Sequence, residues 1–314
     1  VSTRLLGGLP PSVTICEVGP RDGLQNEAST VAAADKVRYI ELLVDAGVTS
    51  IEVTSFVSPK AVPQLADADA VFPAVRKRDG VRYIVLVPNE RGLDRAIAAG
   101  VRDIAVFTAA SNTFAQRNIR MSIDESLTTF GRVIERAKRE GMRVRASVST
   151  AFGCPFEGAV APAAVVEVAQ RLLDAGADDL SIADTIGVGT PDQVVAIVGA
   201  LAAAGIGTDR YGLHFHDTRG TGLANVLMGV QLGVREFDAS AGGLGGCPFA
   251  PGATGNVATE DVLYLLRGLG IATGIDLDRL RDASRFIASR LPGRVVSRAF
   301  TALEAADARR SVSA

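Results

Sequence analysis

The chain carries only two histidines, and they stand one residue apart in His214-Phe215-His216, followed by Asp217. They close a β-rich run over residues 211–215, and the alternation of a strand sends both imidazoles to the same side. Two imidazoles at one strand end grip a divalent cation when oxygen ligands come to meet them. Half-buried histidines bonded to backbone are the ordinary alternative, but chemically capable residues also end other β-rich runs. Asp22 follows the first run in Gly19-Pro20-Arg21-Asp22-Gly23, offering an anionic ligand beside a cation. Glu52 lies inside the second run, where an unpaired carboxylate would be costly, and Arg21 is a fitting partner. Asp184 follows the sixth run with the same logic. After the last run comes Gly242-Gly243-Leu244-Gly245-Gly246-Cys247. Such a glycine-rich stretch reads as a mobile loop able to approach a ligand closely, with the Cys247 thiol at its end placed for proton transfer. Cys16, within the first run, reads as inert core. Cys154, in Gly153-Cys154-Pro155-Phe156, partly echoes the segment around Cys247, either as a trace of duplication or by coincidence.

The elements that must position these residues alternate along the chain. β-rich runs occupy residues 13–18, 50–54, 81–87, 103–107, 143–148, 179–183, 211–215 and 235–239. Between them lie stretches with apolar residues at helical spacing, such as 36–46 and 162–175. Asp-Ala-Gly at 45–47, Ala-Ala-Gly at 98–100 and Asp-Ala-Gly at 174–176 are helix ends, where glycine supplies the left-handed geometry of a C-terminal cap. Continuously apolar strands, each followed by a helix, predict a parallel sheet buried on both faces, and eight such units close into a (β/α)8 TIM barrel. An open doubly wound sheet is the alternative, but no Gly-x-Gly-x-x-Gly follows the first run. The expectation is one α/β domain over 1–314, with the barrel at about 12–256 and extra C-terminal helices at about 257–314. In such a barrel chemistry gathers at the C-terminal ends of the strands, which is where the residues above fall.

Composition narrows the function classes. With 33 basic and 35 acidic residues interspersed, net charge is -2 and no basic stripe points to nucleic acid. Apolar runs are strand-length and interrupted by charges, so no membrane partner is expected. Residues 1–10 lack the apolar core of a signal peptide, and three scattered cysteines make no disulfide framework, so the expected location is the cytoplasm.

The segments 19–27, 55–60, 184–190, 214–218 and 243–250 together resemble hydroxymethylglutaryl-CoA lyase, over about residues 12–270. Gly-Leu-Gly-Gly-Cys-Pro-Phe-Ala is the most specific of them. The wider superfamily of metallolyase barrels, which includes isopropylmalate and homocitrate synthases, shares the Arg-Asp, Glu and His-x-His elements. The cysteine loop is not characteristic of those synthases, which favours cleavage over condensation. The resemblance implies that Asp22, His214, His216 and Asn256 ligate a divalent cation, Mg²⁺ or Mn²⁺ given a mixed nitrogen and oxygen set. Arg21 would bind the thioester carbonyl and stabilise the enolate, with Glu52 and Asp184 orienting Arg21 and the polar centre. Ser55 and Ser181 would hold substrate by hydrogen bonds, and Cys247 would protonate the enolate carbon. His214 or Asp22 would be the base. The implied substrate is an acyl-CoA, cleaved to acetyl-CoA and acetoacetate by a homodimer in leucine breakdown. Three departures bear on the acyl group: Ala28 replaces the usual lysine, Arg219-Gly220-Thr221 the usual Tyr-Gly-Gln, and Ala183 a glycine. Arg219 either favours a different carboxylate spacing, as in citramalyl-CoA or a longer branched 3-hydroxyglutaryl-CoA, or is a surface ion-pair residue.

Overall fold

The computed structural model of the chain describes residues 7–246 and 255–312. Eight parallel strands pair in chain order and close on themselves: β1 (Thr14–Glu17), β2 (Ser50–Ser55), β3 (Arg82–Leu86), β4 (Asp103–Ala109), β5 (Arg143–Ser149), β6 (Asp179–Asp184), β7 (Tyr211–Phe215) and β8 (Glu236–Ala239). The TIM barrel expected from the sequence is therefore the fold, and every expected β-rich run is a strand. Helices α1 (Ala33–Asp45), α2 (Ala68–Ala74), α3 (Glu90–Ala98), α4 (Asn112–Ile119), α5 (Ile123–Arg139), α6 (Pro162–Asp174), α7 (Pro191–Ala203) and α8 (Gly222–Gln231) surround it. The chain continues through α9 (Thr259–Gly268), α10 (Leu277–Arg290) and α11 (Arg298–Val312). α9 follows β8 as that strand's own helix, completing the eightfold repeat, so α10 and α11 are the additions. Gly47, Gly100 and Gly176, after α1, α3 and α6, all have positive φ, as helix-ending glycines should.

The pleat sorts each strand into two faces. Ile15, Ile51, Val53, Val85, Ile104, Val106, Val144, Val148, Leu180, Ile182, Leu213 and Phe237 join the apolar side chains of the helices in one continuous buried layer. The barrel interior is split. Cys16, Val18, Ile84, Leu86 and Ala105, with Phe107 against them, fill the side formed by β1, β3 and β4. The β5–β8 side holds instead buried polar groups: Arg145, Asp179, Ser181, His214 and Asp238. Cys16 is buried in this interior cluster with a free thiol, the core residue expected of it.

Candidate active site at the barrel mouth

Strand β1 ends in a five-residue π-helical turn, Gly19–Gly23. The amides of Arg21, Asp22 and Gly23 all converge on the Val18 carbonyl, at 3.2, 2.8 and 3.1 Å. Gly19 is required there: a Cβ would stand 2.6 Å from the Tyr39 hydroxyl and 2.7 Å from Glu17 Oε1. This tight turn holds Arg21 and Asp22 over the mouth. The Arg21 guanidinium donates from Nε to Glu52 Oε2 at 2.5 Å and from Nη1 to Asp22 Oδ1 at 2.7 Å, and its Nη2 also pairs with Glu52. Arg21 is thus the partner that the buried strand carboxylate Glu52 needs.

Asp22, His214 and His216 come together from β1 and β7, with candidate ligand atoms all within 4.8 Å of one another. The imidazoles lie on the same side of β7, ring centroids 5.2 Å apart. His216 Nε2 stands 3.8 Å from Asp22 Oδ2. Asn256 is drawn in by a backbone bridge to His216. Its Nδ2 donates to Asp22 Oδ2 at 2.9 Å and to the Leu244 carbonyl at 3.0 Å. Those two acceptors settle which end of the amide faces them, and they leave Asn256 Oδ1 buried without a hydrogen-bond partner among the described residues. His216 Nδ1 is in the same state. A buried acceptor without a donor costs roughly 1–3 kcal/mol. An acceptor-rich cluster of this kind is relieved by a cation, so the donor set fits one. A second acidic group, Cys16 with Glu236 and Asp238, already has its cation. Arg145 Nη2 sits 2.8 Å from Asp238 and 3.2 Å from Glu236.

Burial pushes the Asp22 carboxyl up, but Arg21 and the two imidazoles outweigh it and hold the net value below the usual range. For His216, burial and then the neighbouring His214 depress the imidazole to about 4, leaving it neutral and able to ligate. Burial opposes protonation of His214 too, but Asp238, hydrogen-bonded at Nδ1 3.1 Å away, turns the net shift upward.

Other expected site residues are placed differently. The Asp184 carboxylate accepts from the amides of Val188 (3.0 Å) and Gly189 (2.8 Å), and burial raises its pKa. It braces its own β6–α7 turn. Its oxygens bond that turn rather than Arg21, while its charge acts on His214. Ser55 donates to the Leu86 carbonyl at 3.2 Å, and Ser181 donates to Asp238 at 2.9 Å. Both hydroxyl protons are therefore engaged within the barrel. Cys247 lies outside the described residues. The glycine stretch leading to it is closely packed at 242–245, whereas a Cβ on Gly246 would meet open space. Gly242 and Gly243 take left-handed φ of 74° and 69°, and a Cβ on Gly245 would meet Asn256 Nδ2 at 2.6 Å. Gly242, Gly243 and Gly245 thus serve close approach of the backbone to its neighbours. Arg219 Nη1 donates to the carbonyls of Ile186 (3.1 Å) and Gly187 (2.9 Å), tying the β7 loop to the β6 loop. Cys154 Sγ accepts from the Ser111 hydroxyl at 2.9 Å, and the thiol is free and buried.

Two residues escaped the sequence reading: Asp238 and Arg145. The signal was present, since both are charged residues inside β-rich runs, the argument applied to Glu52 and not repeated.

Fold and site define a (β/α)8-barrel enzyme with a cation-accepting centre at the C-terminal mouth. A model of the HMGL-like family matches residues 12–287, and the chain belongs to that family. It is 47% identical over 298 residues to mitochondrial hydroxymethylglutaryl-CoA lyase of Bos taurus, covering 95% of this chain and 91% of that one. The crystal structure of hydroxymethylglutaryl-CoA lyase from Pseudomonas aeruginosa is similar with a TM-score of 0.92 at 48% identity, over 95% of this chain and 99% of that one. An HMG-CoA lyase from Acenitobacter baumannii, in complex with coenzyme A and 3-methylmalate, is similar with a TM-score of 0.88 at 39% identity, over 92% and 94% of the two chains. Among the described residues no helix is long and apolar enough to cross a membrane.

Proposed function

We propose that this carbon–carbon lyase cleaves 3-hydroxy-3-methylglutaryl-CoA to acetyl-CoA and acetoacetate, with a divalent cation held by Asp22, His214, His216 and Asn256. The observation that carries the cation is the meeting of those four side chains with the Asn256 oxygen left unpartnered. Two imidazole nitrogens with carboxylate and amide oxygens suit Mg²⁺ or Mn²⁺. When bound, the cation supplies Lewis-acid chemistry that makes the C3 hydroxyl of the substrate more acidic.

The chain's own residues account for the rest of a retro-Claisen cleavage. Asp22 takes the proton of the C3 hydroxyl; His214, the other candidate, could do so only with Nε2 free of the cation. The C3 oxygen then becomes the ketone of acetoacetate as the C2–C3 bond breaks, and its electron pair passes into the thioester as an enolate. Arg21, fixed by Glu52 and Asp22, holds a permanent positive charge where the enolate oxygen develops, without having to reorganise during the reaction. The Cys247 thiol delivers a proton to C2, giving acetyl-CoA. Ser55 and Ser181 keep oxygen lone pairs for contacts to substrate. The relative solved with coenzyme A beside a small hydroxy-dicarboxylate supports an acyl-CoA as substrate. Action as a homodimer, in leucine breakdown, in a reducing compartment such as the cytoplasm, belongs to the same proposal.

A coupled assay for acetyl-CoA release from the substrate with Mg²⁺ or Mn²⁺, repeated after EDTA, tests it. Release that EDTA abolishes is the expected result. Release from citramalyl-CoA or a longer branched 3-hydroxyglutaryl-CoA alone would keep the chemistry and move the acyl group. No release from any of them would overturn the lyase assignment.

A further inference from the structure

Neighbouring strands set a second residue beside His214. The register of β7 on β8 pairs His214 with Asp238, both turned into the barrel. Asp238 Oδ2 lies 3.1 Å from His214 Nδ1 and accepts the Ser181 hydroxyl at 2.9 Å. Its Oδ1 accepts from Arg145 Nη2 at 2.8 Å. The Arg145 side chain is fully buried, with Glu236 at 3.2 Å and Asp179 at 3.8 Å as its other carboxylates. Among the described residues Arg145 Nε and Nη1 find no hydrogen-bond partner, so this buried cation rests chiefly on its contact with Asp238. Three strands therefore converge on a single carboxylate that touches the imidazole from behind.

We propose that Asp238, pinned by Arg145 and Ser181, is a positioning residue for His214 that keeps the imidazole proton on Nδ1 and leaves Nε2 as the nitrogen offered to the mouth. The reasoning is one of donor and acceptor counting. An ionised carboxylate only accepts hydrogen bonds, so the imidazole nitrogen facing Asp238 must be the one that carries hydrogen. The Arg145 guanidinium, 2.8 Å from Oδ1, forms an ion pair with that carboxylate. Ser181 Oγ fills a further lone pair of Oδ2 and fixes the plane of the carboxylate. The remaining nitrogen, Nε2, then has its lone pair directed at the group formed with Asp22 and His216. A carboxylate behind a ligating histidine sets both its tautomer and its ring orientation, and losing one costs roughly 10–100-fold in metal affinity. His216 has no such support, since its Nδ1 is unpartnered among the described residues. The two histidines are thus unequal: one is locked, the other free to adjust. The affinity part of this inference rests on the cation reading above, whereas the tautomer part does not.

The chain suits the test, because only two imidazoles are present. Nitrogen-15 NMR of histidine-labelled, metal-free protein at about pH 8.5, where neutral imidazole dominates, reads which ring nitrogen bears hydrogen. The intact chain is expected to show one imidazole locked in the Nδ1–H form. In Asp238→Asn the amide oxygen is drawn to Arg145, so the NH₂ faces His214 Nδ1, which must then accept. The locked signal should move to the Nε2–H form, and Mn²⁺ affinity by calorimetry should fall roughly 10–100-fold. An intact chain without a locked Nδ1–H imidazole would overturn the proposal even if the variant fails to fold. A folded variant that keeps both the Nδ1–H signal and the original Mn²⁺ affinity would overturn it as well. A locked Nδ1–H signal in an intact chain that binds no Mn²⁺ would support the tautomer inference while ending the cation reading.

Discussion

Glu17 is a fully buried carboxylate behind the site, on the face of β1 turned toward α9. Its Oε1 accepts from the amides of Gly19 and Ala241, both at 2.9 Å, and its Oε2 accepts from the Thr259 hydroxyl at 2.7 Å. It thereby ties the turn that carries Asp22 to the start of the glycine stretch. Burial, with nearby Glu260 adding to it, pushes its pKa from 4.5 to about 7 despite those three donors. The folded chain therefore holds a proton that the unfolded chain releases. Stability is greatest below about pH 4.5, falls as pH rises toward about 7, and levels off above. The full drop attributable to Glu17 is about 3 kcal/mol. At roughly 2.1 cal/mol/K of unfolding entropy per residue, that corresponds to about 5 °C in Tm for a chain of this length. Glu17→Gln keeps the shape, with the amide oxygen accepting from Gly19 and Ala241 and the NH₂ donating to Thr259 Oγ1, and removes the titration. Between pH 5 and pH 8 about 2.5 kcal/mol of that drop occurs, so relative to the parent chain Tm of the variant should gain about 4 °C, whatever constant offset the substitution brings. Scanning calorimetry of both metal-free proteins at one fixed scan rate measures this. Glu260, also raised to about 7, titrates in both chains and cancels apart from its coupling to Glu17, the smallest of the causes acting on Glu17. Parallel Tm curves from pH 5 to pH 8 would refute the reasoning.

Three further outcomes are expected. Cys247→Ala should keep metal and substrate binding but lose roughly 10²–10⁴-fold in turnover by acetyl-CoA assay, and near-normal turnover would remove the thiol as proton donor. Arg145→Met strands Asp238 and Glu236 without their cation and should cost about 3–5 kcal/mol in urea unfolding, with a cost below about 1 kcal/mol ruling out a tightly held pair. Arg219→Ala loses two contacts to loop carbonyls and should cost about 1 kcal/mol of stability. It should leave the ratio of kcat/KM for hydroxymethylglutaryl-CoA and citramalyl-CoA unchanged, and a changed ratio would return Arg219 to the substrate.

The fold was legible because strand and helix periods repeat so regularly along the chain that only a closed parallel barrel uses them all. Asp22, His214 and His216 were legible as a group because rare residue types recur at strand ends, and barrel geometry brings strand ends together. That Asp184 is bonded by its own turn was not legible, a matter of loop path that residue type does not encode. Nor was the close packing of Gly242, Gly243 and Gly245. Glycine allows both mobility and close approach, and only the neighbours of the missing Cβ distinguish them.

The sequence by itself determined the periodicities, the barrel and the residues available at its mouth, because these follow from local patterns of apolar and polar side chains. Tertiary structure alone decided the partnerships. That Arg21 serves Glu52, that Asp238 stands behind His214, and that the Asn256 oxygen finds no donor among the described residues all depend on strands distant in the chain lying side by side. Hydrogen bonds and ion pairs act over about 3 Å, and a linear pattern does not specify distances of that size between such segments.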